Sequence, residues 1–303
     1  MRFLISGASG MVGQALRRSL EADGHPAHRL MRPESARGKF PEPGDVRWDP
    51  VRNEFDASAA EGVDAVVHLA GASIAAGRWT AARKDLLRTS RVDATHHLVA
   101  ALGRLARKPA VLVAASAVGY YGDRGDEILT EQSPPASDYL GTLCQQWEAE
   151  SVRAEQHSIR TVLLRFGIIL SPAGGALARM LLPFKLGAGG RLGSGKQWMS
   201  WLTLSEAVGV IRYAVENTAL RGAVNAVASQ PVTNADFTRA LARAVHRPAI
   251  FPAPPFALRL ALGEMADALL LSSQRVIPDR LHQAGYRFQH AELASALRAL
   301  LSR

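Results

Sequence analysis

The stretch Met1–Gly24, MRFLISGASGMVGQALRRSLEADG, limits the fold more than any other part of the sequence. Phe3–Ile5 is an apolar run long enough for one buried strand and too short for a helix. Three glycines spaced GxxGxxG follow, and apolar residues then recur at helical spacing until Gly24, a typical residue just past a helix end. The stretch therefore predicts a strand, a glycine turn and a helix in direct succession.

A turn of this kind brings backbone N–H groups and the positive end of a helix up to a pyrophosphate group. Gly7 permits the tight turn, Gly10 lets the phosphates approach, and Gly13 lets the helix pack closely on the strand. The spacing is one residue longer than the GxGxxG dinucleotide fingerprint, and an ordinary tight turn is the alternative. The predicted cofactor-binding residues of the turn are Gly7, Ser9, Gly10, Met11, Val12 and Gly13.

The composition of the 303-residue chain fits a globular α/β protein, with 48% hydrophobic and 6% aromatic residues. Cys144 is the single cysteine, which excludes an internal disulfide and fits a reducing, cytoplasmic compartment. No cysteine–histidine spacing in the sequence suits zinc, and no apolar run reaches membrane-spanning length. We therefore expect no metal and no membrane partner.

Positive charge is spread along the chain rather than gathered in one block. The net charge is +9 at pH 7, which by itself would admit a nucleic-acid partner. The basic residues are scattered, many on predicted outer helix faces, which favours anionic small molecules over nucleic acid. We expect a small-molecule substrate and no nucleic acid. The oligomeric state stays open, with a homodimer as one alternative.

Predicted strands and helices alternate through most of the chain. The predicted strands are short and mostly apolar: Phe3–Ile5, Ala27–Met31, Val46–Trp48, Asp64–Ala70, Ala110–Ala115, Thr161–Phe166 and Ala223–Val227. The predicted helices are Thr80–Arg107, Gly141–Glu155, Leu204–Glu216 and Asn234–His246. Such alternation predicts a doubly wound parallel sheet covered by helices on both faces, with ligands beyond the carboxyl ends of the strands.

The chain divides into two predicted parts. Residues 1–166 with about 204–228 form the dinucleotide-binding part, and residues 167–203 with 229–303 form a smaller, discontinuous substrate-binding part. Within the second part, Gly174–Gly195 holds seven glycines among basic residues, which predicts a mobile loop over a pocket. A plain surface linker is the alternative. The C-terminal segment is predicted to be mostly helical.

Four motifs resemble those of an extended short-chain dehydrogenase/reductase: GASGMVG at the start, DAVVHLAG at the fourth strand, SAVGYYG after the fifth and LRFG at the sixth. The stretches LLPFKLGAGGRLGSGKQWMSWLTLSEA and FPAPPFALRLALGE narrow the resemblance to the atypical epimerase-family branch, which has its own C-terminal helical region. The resemblance covers essentially the whole chain. It implies a Rossmann-type domain, a smaller C-terminal part that closes the substrate cleft, and epimerase-like or NADP-dependent oxidoreductase activity.

The end of the second strand predicts NADP(H) as the cofactor. A carboxylate there would bind the ribose 2′-hydroxyl of NAD, whereas this chain has Arg32 behind Met31. A guanidinium can pair with a 2′-phosphate through two hydrogen bonds. Glu34 follows beyond Pro33 and is expected to point elsewhere. A solvated loop arginine is the alternative for Arg32.

Further cofactor contacts are implied by the resemblance alone. Leu69 and Ala70, closed by Gly71, would line the adenosine side. Arg91 would reach the cofactor from the long helix, and Ile169 would pass near the nicotinamide by its main chain. An ordinary charge on a helix surface is the alternative for Arg91.

The catalytic centre departs from the superfamily pattern, in which a Ser or Thr acts with a Tyr and with a Lys four residues after it. Ser116 matches the first role and Tyr139 the second, but Leu143 stands in place of the lysine. Without a nearby cation a phenol keeps a pKa of about 10 and is a poor base at neutral pH. We expect Ser116 to matter more than Tyr139. Tyr120 and Tyr121 are either further candidate phenols or packing residues.

The stretch expected to face the substrate departs as well. Nucleotide-sugar epimerases of this superfamily place an arginine for the nucleotide phosphates where Met199 stands here. Trp198, Met199 and Trp201 predict a more apolar pocket instead. Three functions remain: an NADP(H)-dependent oxidoreductase on a small carbonyl or alcohol, a nucleotide-sugar epimerase or dehydratase, and a catalytically silent NADP(H)-binding protein. The first is the one we expect.

Overall fold

The computed structural model describes residues 1–32 and 43–302. Its strands are β1 Phe3–Ser6, β2 Ala27–Met31, β3 Val46–Asp49, β4 Glu54–Phe55, β5 Ala65–His68, β6 Val111–Ala117, β7 Ile128–Leu129, β8 Arg160–Phe166, β9 Ile168–Ser171, β10 Trp198–Met199, β11 Trp201–Thr203, β12 Gly222–Ala226, β13 Val232–Thr233 and β14 Arg275–Val276. Its α-helices are α1 Met11–Ala22, α2 Ala57–Ala60, α3 Ala81–Arg88, α4 Ala94–Gly103, α5 Tyr139–Val152, α6 Gly175–Lys185, α7 Leu204–Glu216, α8 Asn234–Ala244, α9 Pro255–Leu262, α10 Glu264–Ala266, α11 Asp279–Gln283 and α12 Leu293–Leu301.

Within the described residues, eight strands form one central sheet in the order β12-β8-β6-β5-β1-β2-β3-β4. Neighbouring strands are parallel except β4, which runs antiparallel to β3. After β1, the chain adds β2 and then β3 on one side of β1. It then crosses to the opposite side of β1, where it forms β5. A switch of this kind leaves a crevice at the carboxyl ends of β1 and β5. The predicted doubly wound sheet is confirmed.

Neighbouring residues along each central strand are buried on opposite faces of the sheet. Leu4 packs in one core with Leu98 of α4. Ile5 packs in the other core with Leu16 of α1 and Ile211 of α7. Because both faces of the central strands are covered, apolar residues are favoured at consecutive positions, which explains the runs FLI in β1 and AVV in β5.

The predicted long helix Thr80–Arg107 is present but interrupted. The Thr80 side chain caps α3 by accepting a hydrogen bond from the Arg83 amide at 3.2 Å. One stretch of π-helix, Thr89–Asp93, joins α3 to α4, and α4 ends at Gly103. Such π turns widen a helix locally and often lie at functional sites. This one contains Arg91.

The prediction that Gly174–Gly195 is a loop is wrong for its first half, because Gly175–Lys185 forms α6. Leu177, Leu181 and Phe184 recur there at helical spacing and are buried. They belong to a third core, which α6 shares with α8 and α12. Burial of this apolar stripe outweighs the poor helix propensity of the flanking glycines.

A buried carboxylate attaches the C-terminal segment to the sheet layer. Glu206 of α7 is 1% exposed and accepts a hydrogen bond from the Tyr286 hydroxyl at 2.6 Å. It also accepts from the Gln289 and His290 amides at 2.9 and 3.0 Å. Three donors satisfy the buried charge, so the segment before α12 is held firmly against α7.

A buried chain of hydrogen bonds runs from β1 through β5 to α4 and α5. The Ser6 hydroxyl lies 2.6 Å from His68 Nδ1, and His68 Nε2 lies 2.9 Å from the Thr95 hydroxyl. The Trp147 indole N–H donates to the same Thr95 hydroxyl at 3.1 Å. Because Ser6 already accepts two backbone N–H groups, its own proton goes to Nδ1, which makes Nε2 the protonated nitrogen of a neutral ring.

The neutral state of His68 predicts a loss of stability in mild acid. Burial lowers the pKa of His68 from its ordinary 6.5 to about 4. As the pH falls, the unfolded chain binds a proton near 6.5 while the folded chain resists until about 4. The stabilisation is therefore complete above pH 6.5 and is lost towards pH 4, by about 2 kcal/mol between pH 7 and pH 5.

Urea unfolding at pH 7 and pH 5 measures this loss. Between pH 7 and pH 5, we expect the free energy of unfolding of His68→Gln to fall by about 2 kcal/mol less than that of the wild type, however stable the variant is at pH 7. The free energy of unfolding of the exposed His246→Asn variant should fall as much as that of the wild type. Equal pH dependence in wild type and His68→Gln would contradict the assignment of a neutral buried ring.

Candidate active site

The turn between β1 and α1 has no room for a side chain at two of its glycines. Gly7 has a φ of +66°, and a Cβ there would lie 2.8 Å from the carbonyl carbon of Leu69. A Cβ at Gly13 would lie 2.4 Å from the Gly7 oxygen, so α1 packs directly on the turn. At Gly10, by contrast, the Gly7 oxygen at 3.2 Å is the one described atom within 4 Å of such a Cβ. The space beside Gly10 is open to a ligand.

The first turn of α1 presents uncapped amide groups. Gly10 precedes the helix and has no side chain to accept a hydrogen bond, and the first turn contains no acidic residue. The amides of Met11 and Val12 therefore have no partner within the helix. Ser9 is exposed, and its carbonyl oxygen accepts a hydrogen bond from the Gln14 side chain at 2.7 Å, which holds the turn. This arrangement suits a phosphate group.

Strand β2 delivers Met31 and Arg32 to the same edge of the sheet. The pairing of β1 with β2 extends to Leu30, so Arg32, two residues further on, lies beside the glycine turn. The Arg32 side chain is exposed and can reach a ligand held there. The predicted outward direction of Glu34 concerns a residue outside the described ones.

The chain after β5 wraps around the glycine turn. The Ser6 hydroxyl accepts hydrogen bonds from the Leu69 and Ala70 amides at 3.0 and 3.1 Å. Gly71 follows and is exposed, and a Cβ there would lie 3.2 Å from Arg91 Cζ. The three residues that follow β5 therefore lie between the glycine turn and the Arg91 guanidinium.

Arg91 places a fixed positive charge beneath this loop. Its guanidinium donates to the Ala72 carbonyl oxygen at 3.0 Å and to the Leu87 carbonyl oxygen at 3.3 Å. Its Cζ lies 5.2 Å from the ring centroid of Trp147. Desolvation lowers the pKa of Arg91, and the guanidinium still carries its charge at neutral pH.

Met11 and Ile169 meet at the start of α6. A Cβ at Gly174 would lie 3.4 Å from Met11 Sδ, and one at Gly175 would lie 3.4 Å from Met11 Cε and 3.6 Å from the Ile169 carbonyl oxygen. The glycine turn and the main chain of β9 are therefore neighbours. The structure brings the predicted cofactor residues together along one edge of the sheet.

Ser116 lies in β6 and is 4% exposed. Its hydroxyl donates to Glu148 Oε1 at 2.6 Å. Arg165 donates two hydrogen bonds to the same carboxylate, one of 2.8 Å to Oε1 and one of 2.7 Å to Oε2. The serine proton is thus committed to a buried ion pair, and Ser116 would have to leave Glu148 in order to touch a substrate.

Tyr120 and Tyr121 are engaged by the same arginine. Arg165 Cζ lies 3.5 Å from the Tyr120 ring centroid. Arg165 donates to the Tyr121 hydroxyl at 3.0 Å, and that hydroxyl donates to Asn225 Oδ1 at 2.6 Å. Burial raises the pKa of Tyr121 to about 12. Tyr121 is therefore a buried packing residue, whereas Tyr120 is half-buried with its ring against Arg165.

Sequence reasoning does not single out Glu148, although the sequence contains a signal for it. Leu140, Cys144, Glu148 and Ser151 recur on α5 at helical spacing, and all four are buried. A carboxylate on the apolar stripe of a helix indicates a buried partner, because an unpaired charge there would be costly. The identity of that partner, Arg165 on β8, follows from the fold alone.

A cavity of about 350 Å³ opens beyond the carboxyl end of β6. It lies between the 3₁₀ turn Val118–Tyr121, the start of α5 and residues 259–274. Among the candidates Ser116, Tyr120, Tyr121 and Tyr139, it is Tyr139 that lines the cavity, beside Trp79 and Leu140. Its volume and its position at the strand ends suit a small organic ligand.

Tyr139 is the first residue of α5, so this helix begins two residues before the predicted Gly141. Its hydroxyl donates to the Lys84 carbonyl oxygen at 3.0 Å, and the Lys84 ammonium lies 4.8 Å from its ring centroid. Leu143, one turn further along α5, is buried in an apolar cluster. Burial raises the pKa of Tyr139, so the phenol keeps its proton at neutral pH.

The predicted apolar lining by Trp198, Met199 and Trp201 is not found in this cavity. Met199 and Trp201 lie in the third core, because the short strands β10 and β11 turn these side chains towards α6 and α8. Trp198 stacks against Arg275, whose Cζ lies 4.3 Å from the indole centroid. None of the three lines the cavity described above.

In residues 1–32 and 43–302, no three or more His, Cys, Asp and Glu side chains are grouped so that they could hold a metal ion. No helix described there combines the length and the apolar composition needed to cross a bilayer.

The sheet and its glycine turn define a Rossmann-type α/β protein, and comparison with known proteins identifies the family. The model of the NAD dependent epimerase/dehydratase family matches residues 3–226, and that of a domain of unknown function matches residues 253–300. The chain therefore belongs to the NAD-dependent epimerase/dehydratase family, as the resemblance implied.

Individual relatives match over nearly the whole chain. Epimerase family protein Mb2239 of Mycobacterium bovis is 43% identical over 293 residues, which cover 97% of this chain and 95% of that protein. Epimerase family protein YfhF of Bacillus subtilis is 37% identical, with 100% and 98% covered. The crystal structure of human epimerase family protein SDR39U1 with NADPH superposes with a TM-score of 0.91 at 32% identity, and each chain is covered completely.

The open space at Gly10 predicts the effect of filling it. A Gly10→Val side chain would project from the turn into the open space beside Gly10, where a pyrophosphate would lie. We expect this variant to fold but to lose dinucleotide binding in fluorescence titrations with NADH and NADPH. Ala22→Val, at the exposed far end of α1, is the control. Near-normal binding by Gly10→Val would show that the pyrophosphate lies elsewhere.

Proposed function

We propose that this chain is an NADP(H)-dependent oxidoreductase that interconverts a small carbonyl compound and its alcohol. One observation carries the proposal: the uncapped glycine turn after β1 and the cavity after β6 open at the same edge of the sheet. A dinucleotide bound at the turn and a small substrate in the cavity would therefore be neighbours.

The residues present fit a dinucleotide. The open side of Gly10 leaves room for the pyrophosphate, and the Met11 and Val12 amides would hold it. Leu69 and Ala70 would line the adenosine side. Gly71 and Arg91 are further cofactor residues on this proposal, and the main chain of Ile169 would pass near the nicotinamide.

The choice of NADP(H) over NAD(H) rests on Arg32 and on a relative. Arg32 is an exposed guanidinium beside the turn, where it can pair with a 2′-phosphate. The 32% identical human protein was crystallised with NADPH. When bound, this cofactor would supply or accept the hydride, and the residues of the chain would hold the substrate and move the proton.

The geometry favours Tyr139 over Ser116 for the proton, which reverses the ranking expected from the sequence. Tyr139 lines the cavity, whereas the Ser116 hydroxyl is bound to buried Glu148. Because burial raises the pKa of Tyr139, the phenol is protonated at neutral pH, and it can donate this proton once its hydroxyl leaves the Lys84 carbonyl oxygen. In a reduction, a hydride from bound NADPH would join the carbonyl carbon and the Tyr139 proton would join the oxygen. Ser116 acts as a positioning residue at the end of β6.

One observation supports a second function, a catalytically silent NADP(H)-binding protein. The hydroxyls of Ser116 and Tyr139 are both bound within the protein, to Glu148 and to the Lys84 carbonyl oxygen. A nucleotide-sugar epimerase is less well supported, since buried Met199 offers no charge to a nucleotide phosphate.

The cofactor preference can be tested at Arg32. Losing one charge-assisted pairing should cost about 1.5–3 kcal/mol, so Arg32→Ala should weaken NADPH binding at least tenfold and leave NADH binding nearly unchanged. Calorimetric titration with both cofactors measures this difference, and Arg18→Ala on the exposed face of α1 is the control. Equal losses for NADH and NADPH would refute the pairing with the 2′-phosphate.

The proton donor can be tested by single-turnover reduction of a panel of small aldehydes. Removing a positioned acid should slow hydride transfer by about a hundredfold, so Tyr139→Phe should lose that much with unchanged NADPH affinity. Ser116→Ala should lose less than Tyr139→Phe. Tyr213→Phe, whose hydroxyl is bound to the Ala284 carbonyl oxygen outside the cavity, is the control.

Two outcomes of this experiment would count against the proposal. A large loss in Ser116→Ala with none in Tyr139→Phe would restore the ranking expected from the sequence. Tight NADPH binding without turnover of any aldehyde would favour the silent binding protein.

A further inference from the structure

The cavity beside Tyr139 is acidic, in a chain whose net charge is +9. Its one lining cation among the described residues is Arg259. The carboxylates that line it come from the loop after β6, the residue before α5 and the C-terminal helices: Asp123, Asp138, Glu264 and Asp267. The sign of the local charge is therefore opposite to that of the whole protein.

Two of these carboxylates are neutralised by cations. Glu264 pairs with the Lys84 ammonium at 2.6 Å, and Asp267 pairs with the Arg259 guanidinium at 2.8 Å. Both pairs are partly exposed, so each is individually weak. They nevertheless cancel the charge of the C-terminal wall of the cavity.

The other two carboxylates have no cationic partner among the described residues. Asp123 Oδ1 accepts hydrogen bonds from the Ser273 amide at 3.0 Å and the Gly125 amide at 3.4 Å. Asp138 Oδ1 accepts from the Gly141 amide at 2.7 Å. Amide donors orient these carboxylates but leave their net charge in place. Both residues are exposed, so solvent partly screens the attraction or repulsion that each charge exerts on a ligand in the cavity.

The rest of the wall is aromatic and aliphatic. The Trp79 and Tyr139 rings meet edge to face, with centroids 5.3 Å apart. The Tyr139 ring already makes a cation–π contact, because the Lys84 ammonium lies 4.8 Å from the ring centroid. Leu140 and Leu271 add apolar surface. Carboxylates next to aromatic faces suit an alkylammonium group attached to an apolar body.

We propose that the substrate of this cavity carries a positive charge on an apolar body, and that the cavity rejects phosphorylated and other anionic substrates. The inference rests on the proposed function, because it takes the cavity as the substrate site. An anion would lose its hydration and meet Asp123 and Asp138 without a free cation from the described lining. A cation would be attracted by both of these carboxylates.

Three benzene derivatives of similar size test the charge preference. They are para-trimethylammonio, para-tert-butyl and para-carboxy compounds, used as benzyl alcohols for binding and as benzaldehydes for turnover. A benzyl alcohol cannot react with NADPH, so calorimetry on the NADPH-loaded chain measures binding without chemistry. For the benzaldehydes, NADPH would deliver the hydride to the aldehyde carbon while a proton joins its oxygen, which gives the alcohol and NADP⁺.

We expect the cationic alcohol to bind at least about tenfold more tightly than the anionic one, with the neutral compound between them. Asp123→Asn combined with Asp138→Asn should reduce this ratio to about threefold or less. Asparagine keeps the hydrogen bonds and caps α5 as well as aspartate does, so the fold is preserved. Glu216→Gln, an exposed carboxylate at the end of α7, should leave the ratio unchanged.

The two readouts separate this inference from the proposed function. A cationic preference without turnover supports the inference and refutes the oxidoreductase. Turnover with equal binding of all three alcohols, or with preference for the carboxylate, overturns the inference and leaves the oxidoreductase standing. No binding of any of the three alcohols overturns the inference.

Discussion

The contact between Ser6–Gly7 and the end of β5 sets the geometry on which the candidate site depends. The Ser6 hydroxyl takes both the Leu69 and the Ala70 amide, and Gly7 approaches Leu69 so closely that no Cβ would fit. This contact holds the glycine turn against the chain that follows β5. The Ser6 hydroxyl donates its proton to His68 Nδ1, which sets the orientation of this hydroxyl. A buried neutral imidazole therefore supports the position of the whole turn.

The features visible in the sequence are those that depend on local pattern. The glycine spacing, the apolar strands and most of the helices follow from residues close to one another in the chain, and the structure confirms them. Helix α6 is hard to predict because glycines flank it, although Leu177, Leu181 and Phe184 form a helical stripe within it.

The composition of the site could not be predicted, because it depends on contacts distant in sequence. Ser116 meets Glu148 across 32 positions, and no local pattern reveals that its hydroxyl is already bound. The cavity joins Trp79, the start of α5 and residues beyond 258, which only the fold brings together. The absence of a lysine at Leu143 was visible, whereas its consequence for Tyr139 depends on burial.

The buried Glu148–Arg165 pair explains why Ser116, which follows the superfamily pattern, is less accessible to a substrate than Tyr139. Both side chains are less than 10% exposed, and removing either partner would leave a buried charge at a cost of about 3–5 kcal/mol. The pair therefore stabilises the end of β6 and keeps Ser116, Tyr120 and Tyr121 in place. Tyr139, outside this network, is left to face the cavity.

A crystal structure of the chain with bound NADPH tests the central claim most directly, namely that one sheet edge holds a dinucleotide with its nicotinamide beside the cavity. The account predicts pyrophosphate oxygens about 3 Å from the Met11 and Val12 amide nitrogens, with the nicotinamide ring facing Tyr139. A pyrophosphate away from the glycine turn, or a nicotinamide directed away from the cavity, would contradict it.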